Sequence, residues 1–317
     1  MTKFIILFGF AFLLVLLLIP LFSKIALKYN IVDFPNKRKI HLSPIPLLGG
    51  LAIFLGYIIS IWIWVDSFRI QLAITISGSL IIGVGLLDDF YKSRKKDLTA
   101  LPKLIVQFIA ALILFAFGFR IIGITSFFGE GMTIFSPGIS LLITLIWIIG
   151  LMNMLNFLDG LDGLASGITI ISSMTLFLIS YVRGQEVISM LSILLMGCSL
   201  GFLKYNFYPA KIFMGDSGSL FLGMVLAVIS IEGAMKSATL LSITMVVLAL
   251  GVPIFDTILV FLKRWREKKP LYIADQNHAH HRLLRRGYTQ KQTVVLIYAV
   301  SIIFSLISIL VLFWFVI

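Results

Sequence analysis

The sequence predicts an all-α polytopic membrane protein with about ten transmembrane helices in a single domain, residues 1–317. Composition is the first reason, since 60% of the residues are hydrophobic, 13% are charged and the mean hydropathy is +1.08. Soluble domains average about 45–50% apolar and about 25% charged residues. The second reason is a series of ten apolar runs, each near the roughly 20 residues that a helix needs to cross a bilayer. With a single cysteine as well, the chain fits neither a soluble enzyme nor a disulfide-rich scaffold.

The ten predicted spans follow one another without a long linker or an evident internal repeat. The first is longer than the apolar core of a signal peptide, which has about 7–15 residues, so we expect a retained helix. In chain order the predicted spans are 4–22, 47–65, 70–87, 104–119, 139–156, 164–182, 187–203, 218–234, 238–262 and 293–317.

The basic residues predict the orientation of these spans. Most of the 26 Lys and Arg residues lie in the connections after spans 1, 3, 7 and 9. The positive-inside rule assigns those connections to the cytoplasm, so both termini are expected to face outward. Topology and contact with anionic membrane lipid then account for the formal charge of +12, without nucleic acid as a partner.

Five polar clusters follow the odd-numbered spans, and all five are therefore predicted at the cytoplasmic face. They are His41–Gly50, Asp88–Asp89, Asn153–Gly163, Gly215–Ser219 and His278–His281. A transporter would be expected to place its polar groups near the middle of the bilayer. Polar groups at helix ends on one side favour an active site open to a water-soluble substrate and to a lipid head group.

The first acidic pair, Asp88 and Asp89, ends an apolar helix. Two adjacent carboxylates repel each other, and the raised pKa that follows in one of them suits a general base. The pair could also bind a metal, order the basic loop that follows, or be a solvated helix end.

The second polar cluster contains Asn153, Asn156, Asp159 and Asp162, which recur every three residues. On a helix this spacing places them along one face. Amide and carboxylate oxygens are hard ligands of the kind that Mg²⁺ prefers. The alternative is a polar stripe that caps the fifth helix.

The segment Gly215–Ser219 precedes an apolar helix, and Asp216 or Ser217 is a candidate N-cap for it. Free backbone N–H groups at a helix start also form a phosphate-binding site, and Asp216 could hold Mg²⁺ there.

The last cluster lies in a basic loop that contains three histidines, His278, His280 and His281, followed by Arg282. Imidazole and guanidinium donors suit phosphate binding. No acid-rich or thiol partner set completes a tetrahedral zinc site, and a solvated loop is the other alternative.

Two further charged residues are candidates for roles near a phosphate. Lys103 precedes the fourth span and either neutralises a phosphate or is an ordinary basic residue of the cytoplasmic side. Asp256 lies inside the ninth span, where we expect it to face the bundle interior as a hydrogen-bond partner or along a lipid-phosphate path. Taken together, the clusters predict Mg²⁺-dependent phosphoryl transfer at a membrane surface.

These motifs resemble those of the polyprenyl-phosphate N-acetylhexosamine-1-phosphate transferases, which are ten-helix enzymes that transfer a sugar-1-phosphate from a UDP-sugar to a polyprenyl phosphate. Five motifs occur in the same order: Pro46–Gly50, Asp88–Asp89, Asn153–Gly163, Gly215–Ser219 and the histidine loop. Ala279 interrupts the histidines. This pattern looks like the bacterial N-acetylglucosamine branch rather than the phospho-MurNAc-pentapeptide enzyme.

The resemblance implies roles for twelve residues. Mg²⁺, with Mn²⁺ as a substitute, would be held by Asp216 and Asn156. Catalysis would use Asp88 and Asp89, with Lys103 near the polyprenyl phosphate. The remaining substrate contacts would come from Asp159, Asp162, Phe213, His278, His280, His281 and Arg282. Among these, Phe213 is the candidate for contact with uracil.

The implied reaction transfers N-acetylglucosamine-1-phosphate from UDP-GlcNAc to undecaprenyl phosphate and releases UMP. It would start a cell-surface glycan of the O-antigen, common-antigen or wall teichoic acid type, in the bacterial plasma (inner) membrane. The alternatives are another UDP-N-acetylhexosamine or UDP-MurNAc-pentapeptide as donor, a transporter of lipid-linked or nucleotide sugars, and a non-catalytic scaffold. Direct and covalent mechanisms both stay open, as does the oligomeric state, for which a homodimer is one candidate.

Overall fold

The computed structural model describes residues 1–34, 44–94, 98–125, 131–235, 240–268 and 278–316. These residues are mostly helical. The α-helices in chain order are α1 Thr2–Lys28, α2 Gly49–Trp64, α3 Phe68–Ser93, α4 Ala100–Ala116, α5 Pro137–Leu158, α6 Leu164–Val182, α7 Glu186–Asn206, α8 Gly215–Ser230, α9 Leu240–Ala249, α10 Gly251–Arg266, α11 Ala279–Arg285 and α12 Gln290–Val316. A π-helical turn, Ile231–Met235, extends α8.

Within the described part of the chain, two short pairs of antiparallel strands lie between helices. Strand β1 (Val32–Asp33) pairs with β2 (Ile45–Pro46), so that Asp33 lies opposite Ile45. Strand β3 (Gly123–Thr125) pairs with β4 (Met132–Ile134) in the connection between α4 and α5.

Most of the helices have the length and composition of membrane spans. Seven meet both criteria within the described residues, and the bent pair α9 and α10 makes eight if it is counted as one span. The shorter apolar helices α2 and α4 fall in the second and fourth predicted spans. With 16 and 17 residues, they are about 24–26 Å long, against a hydrocarbon core of about 30 Å. The chain is therefore a polytopic helical protein, whereas the count of ten spans and the orientation of the termini stay predictions.

The ninth predicted span, 238–262, is not one straight helix. Helices α9 and α10 meet at Leu250 with a bend of 82°. Pro253 has no N–H to donate to the carbonyl of Ala249, and that carbonyl accepts a hydrogen bond from the Ser172 hydroxyl of α6 at 2.8 Å instead. Proline is tolerated in the first turn of a helix, so the break falls just before it.

Helix α8 lies at the centre of the bundle, and 83% of its apolar window is buried. Small residues allow α2 and α3 to approach its N-terminal end closely. A Cβ atom at Gly50 would lie 2.6 Å from the Cα atom of Gly218, and a Cβ atom at Gly85 would lie 2.5 Å from the backbone nitrogen of Ser217. This close approach brings the end of α3 against the start of α8, where the polar clusters meet.

The outermost helices expose apolar side chains, as expected for surfaces that face lipid. Only 22% of the apolar window of α1 and 28% of that of α12 are buried. Leu17 and Leu310, for example, are 73% and 66% exposed.

Candidate active site

The polar clusters meet around one cavity of about 710 Å³ at the ends of several helices. Seven of the twelve predicted site residues line it: Asp89, Asn156, Asp159, Asp162, Phe213, Asp216 and His281. Lys92, which was not predicted, lines it as well. Asp88 lies just behind the cavity wall. Lys103 of α4 contacts the carboxylates of Asp88 and Asp216. Three more predicted residues, His278, His280 and Arg282, lie outside the lining, and His41–Ser43 of the first cluster lie outside the described residues.

Three aspartates from α3 and α8 lie close together at this cavity. Asp88 and Asp89 at the end of α3 are 0% and 1% exposed, and Asp216 is in the first turn of α8. Each of these three residues offers one carboxylate oxygen, and the three oxygens lie within 4.8 Å of one another. Three carboxylates this close repel one another unless cations lie between them.

Two ammonium groups supply that compensation. Lys92 Nζ lies 2.8 Å from Asp88 Oδ2 and 2.7 Å from Asp216 Oδ1. Lys103 Nζ lies 3.2 Å from Asp88 Oδ2 and 2.9 Å from Asp216 Oδ2. We call these five residues the carboxylate–lysine cluster. Lys92 is not among the predicted site residues, although its position four residues after Asp88 on the same helix indicates the pairing.

Asp89 caps the central helix from a different part of the chain. Its Oδ1 accepts a hydrogen bond from the Asp216 N–H at 3.2 Å, and its Oδ2 accepts one from the Ser217 hydroxyl at 3.0 Å. A carboxylate at a helix N-terminus is favoured by the helix dipole. The predicted N-cap, Asp216 or Ser217, is therefore wrong, because α8 begins at Gly215 after Met214 and Asp89 satisfies the Asp216 amide.

The stripe from Asn153 to Asp162 does not continue along one helix face. Helix α5 ends at Leu158, so only the two asparagines are helical, and Asp159 is the C-cap. Asn153 donates to Gln107 Oε1 at 2.6 Å, and Asn156 donates to the Ser219 hydroxyl at 2.9 Å. The glycines that follow end the helix, and the left-handed φ of 79° at one of them, Gly163, favours that residue type.

The turn after α5 carries the two aspartates into the cavity. Asp162 Oδ2 accepts a hydrogen bond from the Ala210 N–H at 2.9 Å, which links the turn to the α7–α8 connection. Burial raises the pKa of Asp159 well above its usual range, and the nearby charges of Asp216 and Asp89 raise it further. Asp159 therefore holds its proton to a higher pH than an exposed aspartate.

Asn206, at the end of α7, braces the same turn and drew no prediction from the sequence. Its Oδ1 accepts a hydrogen bond from the Gly163 N–H at 3.0 Å, and its Nδ2 donates to the Ile212 carbonyl at 2.9 Å. A buried carboxamide at the end of an apolar helix was the available signal, since such a group needs partners. Asp33 of β1 also lines the cavity without having been predicted.

The histidine loop reaches the cavity through one residue. Among its four described candidates, His281 lines the cavity, whereas His278 and His280 are 6% and 1% exposed against the end of α5. Burial, together with the adjacent His281 and His278, lowers the pKa of His280 to about 3. Its imidazole is therefore neutral near pH 7.

Phe213 is held at the cavity by the Pro46–Gly50 motif. Its N–H donates to the Pro46 carbonyl at 2.8 Å, and its carbonyl accepts from the Gly49 N–H at 3.0 Å. The first polar cluster thus supports an aromatic wall of the cavity through backbone contacts.

Comparison with known proteins identifies a family and several relatives. The family model for glycosyl transferase family 4 matches residues 71–234. The chain is 37% identical over 314 residues to a probable undecaprenyl-phosphate N-acetylglucosaminyl 1-phosphate transferase of Bacillus subtilis, covering 96% of this chain and 84% of the relative. It is 34% identical over 305 residues to a decaprenyl-phosphate N-acetylglucosaminephosphotransferase of Mycobacterium tuberculosis, covering 86% and 74%. An undecaprenyl-phosphate alpha-N-acetylglucosaminyl 1-phosphate transferase of Yersinia pestis is 27% identical, covering 97% and 82%.

Proposed function

Because the chain belongs to glycosyl transferase family 4, we propose that it transfers N-acetylglucosamine-1-phosphate from UDP-GlcNAc to undecaprenyl phosphate and releases UMP. The relatives in Bacillus subtilis and Yersinia pestis are both named for a transfer of this kind to undecaprenyl phosphate. The observation that carries the proposal is the carboxylate–lysine cluster beside a cavity of about 710 Å³ at the ends of membrane-type helices. Such a site can bind a polar donor while a lipid phosphate approaches along the helices.

The residues present fit a divalent cation. The three carboxylates of the cluster are hard oxygen donors of the kind that Mg²⁺ prefers, with Mn²⁺ as a substitute. Asp88 Oδ1 is buried and accepts no hydrogen bond from the described residues, so it has capacity for a ligand. Asp216 would hold the ion with Asp88 and Asp89, and Asn156 lies on the same cavity wall. A bound Mg²⁺ supplies charge compensation for the diphosphate.

We assign the acceptor phosphate to the carboxylate–lysine cluster. An oxygen of the lipid phosphate attacks the β-phosphorus of the donor, the bond from that phosphorus to the bridging oxygen breaks, and UMP leaves with the electron pair. Asp88 and Asp89 position or activate the lipid phosphate, and Lys92 and Lys103 offset its charge. Both ammonium groups already lie within 3.2 Å of carboxylate oxygens at the site, which supports this assignment.

The nucleotide and sugar are assigned to other residues of the cavity lining. Phe213 offers a ring for stacking with uracil, and Asp159 and Asp162 are assigned to the nucleotide or the ion; all three residues line the cavity. His281, which lines the cavity, is assigned to the diphosphate. The other three predicted residues of the same loop support His281 there: His278, His280 and Arg282. In the covalent alternative an aspartate first takes the sugar-phosphate, so UMP would leave before the lipid binds.

We propose that the chain has ten spans, with both termini outside and the cavity at the cytoplasmic face of the bacterial plasma membrane. The location of the basic residues supports this orientation. This orientation also opens the cavity to the cytoplasm, where a water-soluble UDP-sugar is available. The product lipid would start cell-surface glycan synthesis of the O-antigen, common-antigen or wall teichoic acid type.

The test uses purified protein in detergent with Mg²⁺, undecaprenyl phosphate and UDP-GlcNAc, and it follows UMP release and the mass of the glycolipid. We expect lipid-dependent UMP release and a GlcNAc-diphospholipid, both lost in Asp216→Asn. The matched control is Asp66→Asn, which removes an exposed carboxylate between α2 and α3. Turnover only with UDP-GalNAc or UDP-MurNAc-pentapeptide would correct the sugar, and no turnover with any UDP-sugar would refute the enzyme. A stoichiometric burst of UMP without lipid would refute the direct path.

A further inference from the structure

We propose that Asp256, on the bent half-helix α10, is a positioning residue that holds α11 so that His281 faces the donor diphosphate. The inference rests on the proposed function for the identity of that substrate. It assigns a role in the reaction to a carboxylate that does not line the cavity.

Both oxygens of Asp256 contact the beginning of α11. Asp256 Oδ1 accepts a hydrogen bond from the Ala279 N–H at 2.7 Å, and Oδ2 lies 2.8 Å from His278 Nδ1. Arg282, one turn further along α11, has its guanidinium nitrogen 3.9 Å from Oδ1. The side chains of Asp256 and His278 are 5% and 7% exposed, so water does not compete for these contacts.

These contacts cap a short helix from another element. Helix α11 has seven residues, and none of its own side chains caps its N-terminus. A helix this short is marginal unless tertiary contacts hold it. Asp256 satisfies the N–H of the first helical residue, and a carboxylate there is favoured by the helix dipole. The carboxylate is also an acceptor, so His278 carries its hydrogen on Nδ1.

The anchored helix then determines where the next two histidines lie. The His278 ring packs against Phe157 of α5 at 5.3 Å between ring centroids. The ring centroids of His280 and His281 are 4.1 Å apart. The His280 ring also packs over Gly160, where an added Cβ atom would lie 2.6 Å from His280 Nε2. His281 is the residue of this row that reaches the cavity. Release of the Asp256 contacts therefore frees the element that carries His281.

The test combines Asp256→Asn with His281→Ala in a double-mutant cycle on UMP release. Asn at position 256 keeps an acceptor for Ala279 but cannot accept from His278 Nδ1 through its NH₂ group. We expect kcat to fall by up to about 100-fold in Asp256→Asn, because a misplacement of about 1 Å can cost that much, while the KM for UDP-GlcNAc changes less than twofold. In the His281→Ala background, Asp256→Asn should cost nothing further, because it acts through His281.

A second variant addresses the same contact without changing Asp256. Ala279→Pro removes the N–H that Asp256 accepts, and proline is well tolerated at the first position of a helix. We expect a smaller loss of kcat, about 2- to 10-fold, as for the loss of one hydrogen bond. Because it keeps the aspartate, it remains a test if Asp256→Asn does not fold. Asp66→Asn is the control for a change from carboxylate to amide at an exposed position.

Hydrogen–deuterium exchange of 279–285 separates this inference from the proposed function. We expect faster exchange in Asp256→Asn over that segment alone, whether or not UDP-GlcNAc is the donor. Wild-type protein that releases no UMP would refute the proposed function, and the exchange result would still report on the anchor. The inference is overturned if Asp256→Asn keeps kcat within twofold of wild type, if the two losses multiply, or if exchange over 279–285 is unchanged.

Discussion

Replacing Gly160 with alanine is expected to disable the site through a steric contact with the histidine loop. The new Cβ atom would lie 2.6 Å from His280 Nε2, 3.3 Å from Cε1 and 3.4 Å from Cδ2. Optimal separations between such atoms are about 3.5–4.0 Å, so the ring must retreat by about 1 Å. Gly160 does not share the left-handed conformation of Gly163, so the effect comes from the methyl group and not from backbone strain.

The expected losses of stability and of kcat follow from the burial of the His280 ring. His280 is 1% exposed and packs against His281, so it cannot move into solvent without moving α11. Overpacking of this kind costs about 1–3 kcal/mol of stability. A shift of about 1 Å at His281 can lower kcat by about 100-fold. Initial rates of UMP release and thermal unfolding in detergent measure the two effects.

Two further variants make the prediction specific. Gly150→Ala, on the helix α5 that precedes Gly160, places a methyl group 3.8 Å from Met154 Cε, an ordinary contact, and should be neutral. In a His280→Ala background the ring is absent, so Gly160→Ala should cost no further activity. Gly160→Ala with kcat/KM within twofold of wild type, or an equal loss in both backgrounds, would refute the steric account.

Three other perturbations have defined outcomes. Removal of divalent ions with EDTA should abolish UMP release, and Mg²⁺ or Mn²⁺ should restore it; activity that persists after complete chelation would contradict the carboxylate site. Asn206→Ala should lower the free energy of unfolding by about 1–3 kcal/mol, because the Gly163 N–H and the Ile212 carbonyl lose buried partners. Asn206→Asp keeps only the acceptor, so its free energy of unfolding should lie between those of Asn206→Ala and the wild type. Equal unfolding temperatures for the three proteins would contradict this. Because the pKa of His280 is lowered to about 3, the unfolded state binds more protons than the native state below about pH 6.5, so stability decreases as the pH falls. At pH 5 this residue is expected to lower the free energy of unfolding by about 2 kcal/mol. Hydrogen exchange over 279–285 measures the effect. A His280→Gln variant whose exchange there is as sensitive to acid as that of the wild type would contradict the prediction.

Helix positions were largely predictable because apolar length is a local property of the chain. The sixth predicted span, 164–182, coincides with α6. The bend within the ninth predicted span was not predicted, because it depends on other elements as well as on Pro253. The Ser172 hydroxyl satisfies the Ala249 carbonyl, and the Phe304 ring packs against Gly251, and neither residue is near the break in sequence.

Residue types at the site were also predictable, since carboxylates and carboxamides beside apolar helices are costly unless they are used. Seven predicted residues line the cavity, among them Asp89, Asp216 and His281. Lys92 and Asn206 were not recognised, because a lysine after a span and an asparagine at a helix end are also common without a specific role.

The sequence by itself determined that this chain is a polytopic helical protein and which chemical groups are collected at the helix ends. Hydropathy and motif order carry that information, because each depends on residues close together in the chain. Only the tertiary structure decided which group acts on which. Asp89 caps a helix that begins 126 residues later in the chain, Asp216 pairs with Lys92 across 124 residues, and Asp256 anchors the loop that carries His281. Contacts over such separations depend on how the helices pack, and no local pattern specifies them.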